Sequence, residues 1–417
     1  MDEDKRTNLP AVLGSFVVGI LLPVFVWWAI PSAENRNTTS KTENAKQTTA
    51  KKTPTKTTTQ SQQQYFADSL RAYNNGNWYV SWKKVQQAYE IDQQNPHYLF
   101  HRARMLHSGR GIMQNISLAQ SIAKSQYDRL LNRQDNFSIF AIAVMNYWGL
   151  GVGKNLPLAR KLFEKLEQQG YAPALTSLGS MYSSGQGVPQ NLQTAIHYFR
   201  RAAQNNNGLA IGNLAQYHFV RQSPLFNPQQ GIELYQQAAD LDNLQAIHFL
   251  ANLHLNGQFV PKNIQQAKNW LQKGIELHDP HSMFLMGNIH LTLNDISLAK
   301  NWFNKAIENQ NPFAMYAMGN LYLKEKNYPN AQRWFLNAAN RNFIKAWTAL
   351  GRMHFYGQGG AKNYIKALQW FEKAANYREP EAIAFLIEIH SNGLGVPRNQ
   401  EKVRQLKLLL QNRQRFK

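Results

Sequence analysis

Small and large apolar residues return at fixed intervals from Tyr65 onward. Ala174, Ala210, Ala246, Ser282, Ala314, Ala346 and Ala382 form one series, spaced 36, 36, 36, 32, 32 and 36 residues apart. Four residues after each stands a large apolar side chain: Leu178, Leu214, Leu250, Met286, Met318, Leu350 and Leu386. A second series opens on Asn191, Asn227, Asn263, Asp295, Asn327, Asn363 and Asn399. Small, large and small residues follow at four, eight and eleven positions, as in Ala195, Phe199 and Ala202; the last unit departs, with Val403, Lys407 and Leu410. Steps of four, four and three place these side chains on one face of a helix, so each unit predicts two helices, A and B.

An Asn or Asp at the start of helix B can accept backbone N–H groups as an N-cap, worth about 1 kcal/mol. The longer units carry glycine loops between A and B, such as Gly185 to Pro189 and Gly393 to Pro397, which the 32-residue units lack. Glycine suits a connection that needs positive φ. Weaker copies run upstream through Gly149, Gly151, Asn155, Ala159 and Phe163, and through Gly109, Gly111, Asn115 and Ala119. An initial pair spans Tyr65 to Ile91, with Asn77 opening its second helix.

The pattern A-x-x-x-L-G-x-x-Y/H, a G-x-G-V-x-x-N loop and A-x-x-x-F-x-x-A-A resembles Sel1-like repeats, relatives of tetratricopeptide repeats. It covers about five-sixths of the chain, with the first pair and the two shorter units closer to the tetratricopeptide form. The resemblance implies an all-α, right-handed α-solenoid of stacked hairpins over residues 65–417, about ten helical pairs. It also implies protein–protein interaction, often in bacterial envelope processes and signalling.

The N-terminus reads differently. Residues 1–8 form a short tail, and Leu9–Ile30 holds 22 residues without a charge. A helix of that length covers the roughly 30 Å hydrocarbon core of a bilayer. Trp27 and Trp28 stand where an interfacial aromatic belt would. The alternative is a signal peptide cleaved near Ser32 or Ala33, against which stand the non-basic segment MDEDKRTN and the long apolar run. Residues 31–64, rich in Thr, Lys, Gln and Asn, are expected to be a disordered linker, with a root-mean-square reach of about 30 Å.

Composition adds limits. The net charge of +21 divides into −1 for residues 1–10, +4 for 31–64 and +18 for the remainder, thinly spread. No basic stripe interleaved with stacking aromatics appears, so nucleic acid is not an expected partner. The absence of cysteine excludes disulfides, thiolate zinc sites and a cysteine nucleophile. His218, His254, His290, His354 and His390 share one repeat position with Tyr182 and Tyr322. Units about 10 Å apart hold such a row for packing rather than around one metal ion, whose ligands stand at about 2.0–2.1 Å. The glycine loops lie between helices and lack the strand a phosphate-binding turn requires. No catalytic residue, cofactor, metal or small-molecule substrate is expected.

A groove along the A helices is the expected binding surface. Two residues past the apolar landmark the row reads Ser180, Gln216, Asn252, Asn288, Asn320, Arg352 and Glu388. Two before it the row reads Thr176, Gly212, His248, Phe284, Tyr316, Thr348 and Ala384. Amides supply donor and acceptor together, so Asn252, Asn288 and Asn320 suit an extended peptide backbone, flanked by His248 and Arg352. Phe284 and Tyr316 are expected to hold an apolar side chain. The basic C-terminus from Arg398 to Lys417, interrupted by Val403 and Leu406, reads as a capping helix, with anionic membrane or partner binding as the alternative.

The expected function is a membrane-anchored scaffold or adaptor, bound to the bilayer by its N-terminal helix and to protein partners by its groove. Family analogy points to the bacterial inner membrane, single-pass, with periplasmic repeats serving an envelope complex such as a secretion system, type VI included. The alternatives are a negative regulator of a membrane signalling partner and a cell-wall-related hydrolase.

Overall fold

A computed structural model of the chain describes residues 56–112 and 114–414. Among the described residues there are twenty α-helices and no strand, and successive helices pair as hairpins. The uncharged run Leu9–Ile30 and most of the linker lie outside them. No helix among the described residues is long and apolar enough to cross a membrane.

The chain divides into two compact units, Met1–Ala246 with Asn252–Lys262, and Ile247–Ala251 with Asn263–Lys417. In the first, α1 (Lys56–Asn74) pairs with α2 (Trp78–Ile91), α3 (Pro96–Ser108) with α4 (Ile116–Leu131), and α5 (Asn136–Trp148) with α6 (Leu156–Glu167). Next, α7 (Ala172–Ser184) pairs with α8 (Leu192–Ala203), and α9 (Gly208–Tyr217) with α10 (Pro228–Asp240). Helices α2, α4, α6 and α8 also pack on the A helix that follows each. Residues of α11 (Leu244–Asn256) occur in both units.

The second unit repeats the scheme. Helix α12 (Ile264–Glu276) packs on α13 (Pro280–Thr292), which pairs with α14 (Ile296–Glu308). The hairpins of α15 (Pro312–Lys324) with α16 (Tyr328–Ala339), and α17 (Ile344–Tyr356) with α18 (Tyr364–Ala375), follow. The last joins α19 (Pro380–Asn392) to α20 (Gln400–Gln414). On α20, Val403 and Leu406 are buried while Lys402, Arg404 and Lys407 are exposed, as a capping helix requires.

Each repeated residue has a local task. Asn191 accepts from Thr194 N at 3.0 Å and Asn363 from Lys366 N at 2.9 Å, closing the N-terminus of helix B. The same cap residues donate their own N–H back to helix A: Asn191 to the Tyr182 carbonyl, Asn227 to His218, Asn363 to His354 and Asn399 to His390. The Tyr/His position therefore anchors the loop through its backbone. Small residues on A receive the large residue of B, and an added Cβ at Gly319 would stand 2.5 Å from the Phe335 ring. At Gly187, φ is +76° and an added Cβ would stand 2.8 Å from Leu156 Cβ, so the second loop glycine meets both a left-handed turn and the preceding helix B.

One boundary differs from expectation. Helix α1 opens at Lys56, so its first turns fall inside the stretch 31–64 expected to be a linker. Phe66 and Leu70 pack into the first core and fix the helix there. Extending an existing helix upstream through Thr and Gln costs far less than starting one.

The first unit also makes a contact of high sequence separation. Asn75 Oδ1, in the α1–α2 turn, accepts from Gly208 N at 3.3 Å, at the start of α9. Asn243 Nδ2 donates to the Gly208 carbonyl at 3.0 Å, and its side chain crowds Gly76. The first hairpin thus meets the fifth, and the A helices between them enclose a space.

Candidate functional site

The expected groove residues of the second unit divide by environment. His248 Nε2 stands 2.8 Å from Asp279 Oδ2 and 3.0 Å from Ser282 Oγ. Asp279 itself caps α13 through Ser282 N. Burial pushes the Asp279 carboxyl up, but His248, His281 and Ser282 outweigh it and hold it down at about 2. His248 therefore belongs to a helix-capping cluster.

Phe284 is 8% exposed and packs against Phe303, Phe313 and His281, so its ring is part of the repeat core rather than an open apolar pocket. Tyr316 is half-buried between Phe335 and Phe343, and its hydroxyl bonds to Asn320. Burial pushes that hydroxyl up, only partly opposed by Asn320 and Arg352. Arg352 donates to Glu381 at 3.1 Å. Asn288 is half-buried and Asn320 exposed on successive A helices. Asn252, half-buried, belongs to the other unit. Among the described residues no group of three potential metal ligands converges, the histidine row included.

The first unit holds a cavity of about 500 Å³, walled by α1, α3, α5, α7 and α9. Its floor is aromatic, from Phe140, Tyr147, Phe163, Phe199 and Tyr217. The Tyr147 hydroxyl bonds to Ser184 and the Tyr217 hydroxyl to Ser183, tying neighbouring A helices together. The α7 wall is a run of hydroxyls. Thr176, Ser177, Ser180 and Ser184 each donate to the carbonyl four residues back, at 2.8–3.1 Å. With their protons committed to the helix, these hydroxyls present acceptor lone pairs. Asn213, Gln216 and Gln245 add amides.

Two cations, Arg104 and Arg110, line the cavity, and among the described residues no Asp or Glu does. Arg104 is 2% exposed. Its Nε donates to His101 Nδ1 at 2.6 Å, and its guanidinium lies 3.7 Å from the Tyr73 ring centre. Burial keeps His101 neutral, its pKa well below the ordinary value, so Nδ1 is free to accept. Its Nε2 then faces Ser69 and Ser81 hydroxyls at 3.0 and 3.1 Å. Burial pulls Arg104 down to about 10, which leaves it charged at neutral pH. Arg110 donates to the Tyr73 hydroxyl at 3.0 Å and lies over Trp78 at 4.6 Å. Burial alone raises the Tyr73 hydroxyl, but Arg110 and Arg104 together hold it below its usual value.

The Sel1 repeat profile matches residues 137–171, 172–207, 209–243, 244–279, 312–343, 346–376 and 380–402, more than half of the chain. The chain belongs to the Sel1 repeat family. A tetratricopeptide repeat matches 280–312, beside the shorter units. Among curated protein sequences nothing matches. Solved structures similar in fold include c5321, a protective antigen of uropathogenic Escherichia coli strains. It is 23% identical over 84% of this chain and 76% of that one, with a TM-score of 0.49. A Sel1 repeat protein from Oxalobacter formigenes is 22% identical over 74% and 89%, TM-score 0.47. Immunity protein Pa5087 from Pseudomonas aeruginosa is 22% identical over 49% and 81%, TM-score 0.39.

In Sel1 register, Arg104, Val144 and Ser180 each stand five residues before a loop glycine: Gly109, Gly149 and Gly185. Arg104 is therefore the upstream member of the row that holds Ser180, Gln216 and Arg352. Extending that row through the weaker copies finds it. Arg110, between Gly109 and Gly111, and Tyr73 stand outside that row, and they come together only in the fold.

Proposed function

We propose that this Sel1 repeat protein is a membrane-tethered adaptor of the bacterial cell envelope, collecting partner proteins on the A-helix faces of its repeats. Sel1 and tetratricopeptide repeats are scaffolds for protein–protein interaction. The observation that carries the reading is the A-helix face of the first unit, where hydroxyls and amides follow one another in repeat order around a cavity. Such a face can hydrogen-bond an extended chain along its length. In the second unit Asn288, Tyr316, Asn320 and Arg352 continue the role, with Phe284 and His248 supporting them from the core. Sel1 proteins are typically non-catalytic, in keeping with an adaptor.

The anchor rests on the uncharged Leu9–Ile30 run, and the linker gives reach. Tethering raises the effective concentration of bound partners at the membrane. Assembly or placement of an envelope machine, a secretion system such as type VI included, is the setting this arrangement suits. A photo-crosslinking residue at Gln216 or Asn320 should trap polypeptide in cells, and one at Leu118 or Leu298, exposed on B helices, should not. Equal trapping at all four positions, or trapping at none, contradicts the reading. A reporter active only in the periplasm, fused after Lys417, should be active; silence there removes the periplasmic placement.

A further inference from the structure

The first unit buries a charge that its own side chains do not neutralise. Only Nε–H of the Arg104 guanidinium has a hydrogen-bond acceptor, His101; the terminal N–H groups have none among the described residues. No carboxylate pairs with Arg104 among the described residues, and the cavity wall contains none. A buried cation left without an anion is costly, and the cost falls when an anion arrives with the ligand. Arg110 stands on the same Tyr73 ring and brings a second cation to the same place.

The walls decide which anion. A bare carboxylate offers no donor to the lone pairs that Thr176, Ser177 and Ser180 present, and inorganic phosphate carries only its P–OH groups, too few to follow that row. A peptide offers an N–H at every residue. Gln216 and Asn213 satisfy its carbonyls, and Phe140, Tyr147 and Tyr217 provide an apolar floor for an aliphatic stem. About 500 Å³ lies within the usual span of ligand sites, roughly 300–1,000 Å³.

We propose that this cavity is a binding site for an acidic segment of a partner polypeptide, its carboxylate held by Arg104 and Arg110 and its backbone bonded to the hydroxyls of α7 and the amides of α9. The inference rests on the adaptor reading and names the chemistry of the partner. The hydroxyl wall sets polarity and direction, while the arginines set which segment enters.

Calorimetric titration of the full chain in detergent tests it, with hexaglutamate as the probe and hexaglutamine and inorganic phosphate as controls. Hexaglutamate should bind, and Arg110→Gln should weaken it at least tenfold. Lys366→Gln, which removes an equal charge from the exposed surface of the other unit, should leave the affinity unchanged. Arg104→Met should also abolish binding, with circular dichroism confirming that helix content is retained; if that variant does not fold, Arg110→Gln decides. Failure of hexaglutamate to bind overturns the proposal, as does equal weakening by Lys366→Gln or affinity unchanged in Arg110→Gln. Phosphate binding with the same arginine dependence overturns the peptide assignment. If hexaglutamate fails while crosslinking at Gln216 still traps polypeptide, the acidic specificity falls and the adaptor reading stands.

Discussion

Replacing Gly351 by alanine tests the packing rule that builds every repeat. The added Cβ would lie 2.5, 2.6 and 2.9 Å from three ring atoms of Phe371. Carbon atoms rest at about 3.5–4.0 Å, so the overlap is about 1 Å. The ring has no room to retreat: Phe371 is 0% exposed and stacks on Phe385 at 4.7 Å with an interplanar angle of 1°. Overpacking of this kind costs about 1–3 kcal/mol, and a gap this short belongs to the upper end. Against it stands the helix preference of alanine over glycine, about 1 kcal/mol. The net expectation is a loss of about 2 kcal/mol for Gly351→Ala. Phe371→Leu removes the obstructing ring atoms, so the double variant should lose about 1–2 kcal/mol less than the sum of the two single losses. Urea unfolding followed by the fluorescence of Trp347 and Trp370, both in this hairpin, measures all four corners of the cycle. Losses that add to within about 0.5 kcal/mol would refute the reasoning, because they would mean the two positions do not touch.

Three further outcomes are expected. Asn363→Ala should cost about 1 kcal/mol by removing the cap on Lys366 N, read as earlier loss of α18 amide protection in hydrogen exchange. Gly187→Ala should destabilise the α7–α8 hairpin by more than about 1 kcal/mol, since it meets both a positive φ and a close helix; unchanged thermal stability would count against the loop assignment. Stability should fall as pH is lowered from 7 towards 4. Burial, aided by His248, pulls His281 down to about 4 against its ordinary 6.5, and His101 is lowered in the same direction. Both stay neutral in the folded chain while the unfolded chain takes up protons below about 6.5, so their contribution is full above that pH and is lost through the window beneath it. A melting temperature that stays flat from pH 7 to pH 4.5 would contradict those burials.

The hairpin scheme was legible because it is local. Small residues, rings and Asn caps recur at helical offsets, and the observed contacts between Gly319 and Phe335 or Gly351 and Phe371 are the ones those offsets place face to face. The cavity was not legible, since it depends on Asn75 meeting Gly208 across 133 residues, with no sequence pattern linking them. Phe284 shows a subtler failure. The repeat pattern alone predicts that the row two positions before the apolar landmark lines the groove throughout. In the first unit Thr176 does face the cavity, whereas Phe284 is covered by Phe313 of the next A helix, 5.7 Å away. Where adjacent A helices carry large residues they close over that row. Small residues such as Thr176 leave it open. The A helices carry caps of their own, Asn207, Asn243, Asp279 and Asn311, each accepting the N–H three residues on.

Hydrogen exchange by mass spectrometry, with and without hexaglutamate, tests the central claim most directly. Protection should rise in peptides covering α3, α7 and α9, and should be unchanged across α13 to α20. Protection that rises uniformly along the chain, or only in the second unit, would contradict a ligand seated between Arg104 and the serine wall.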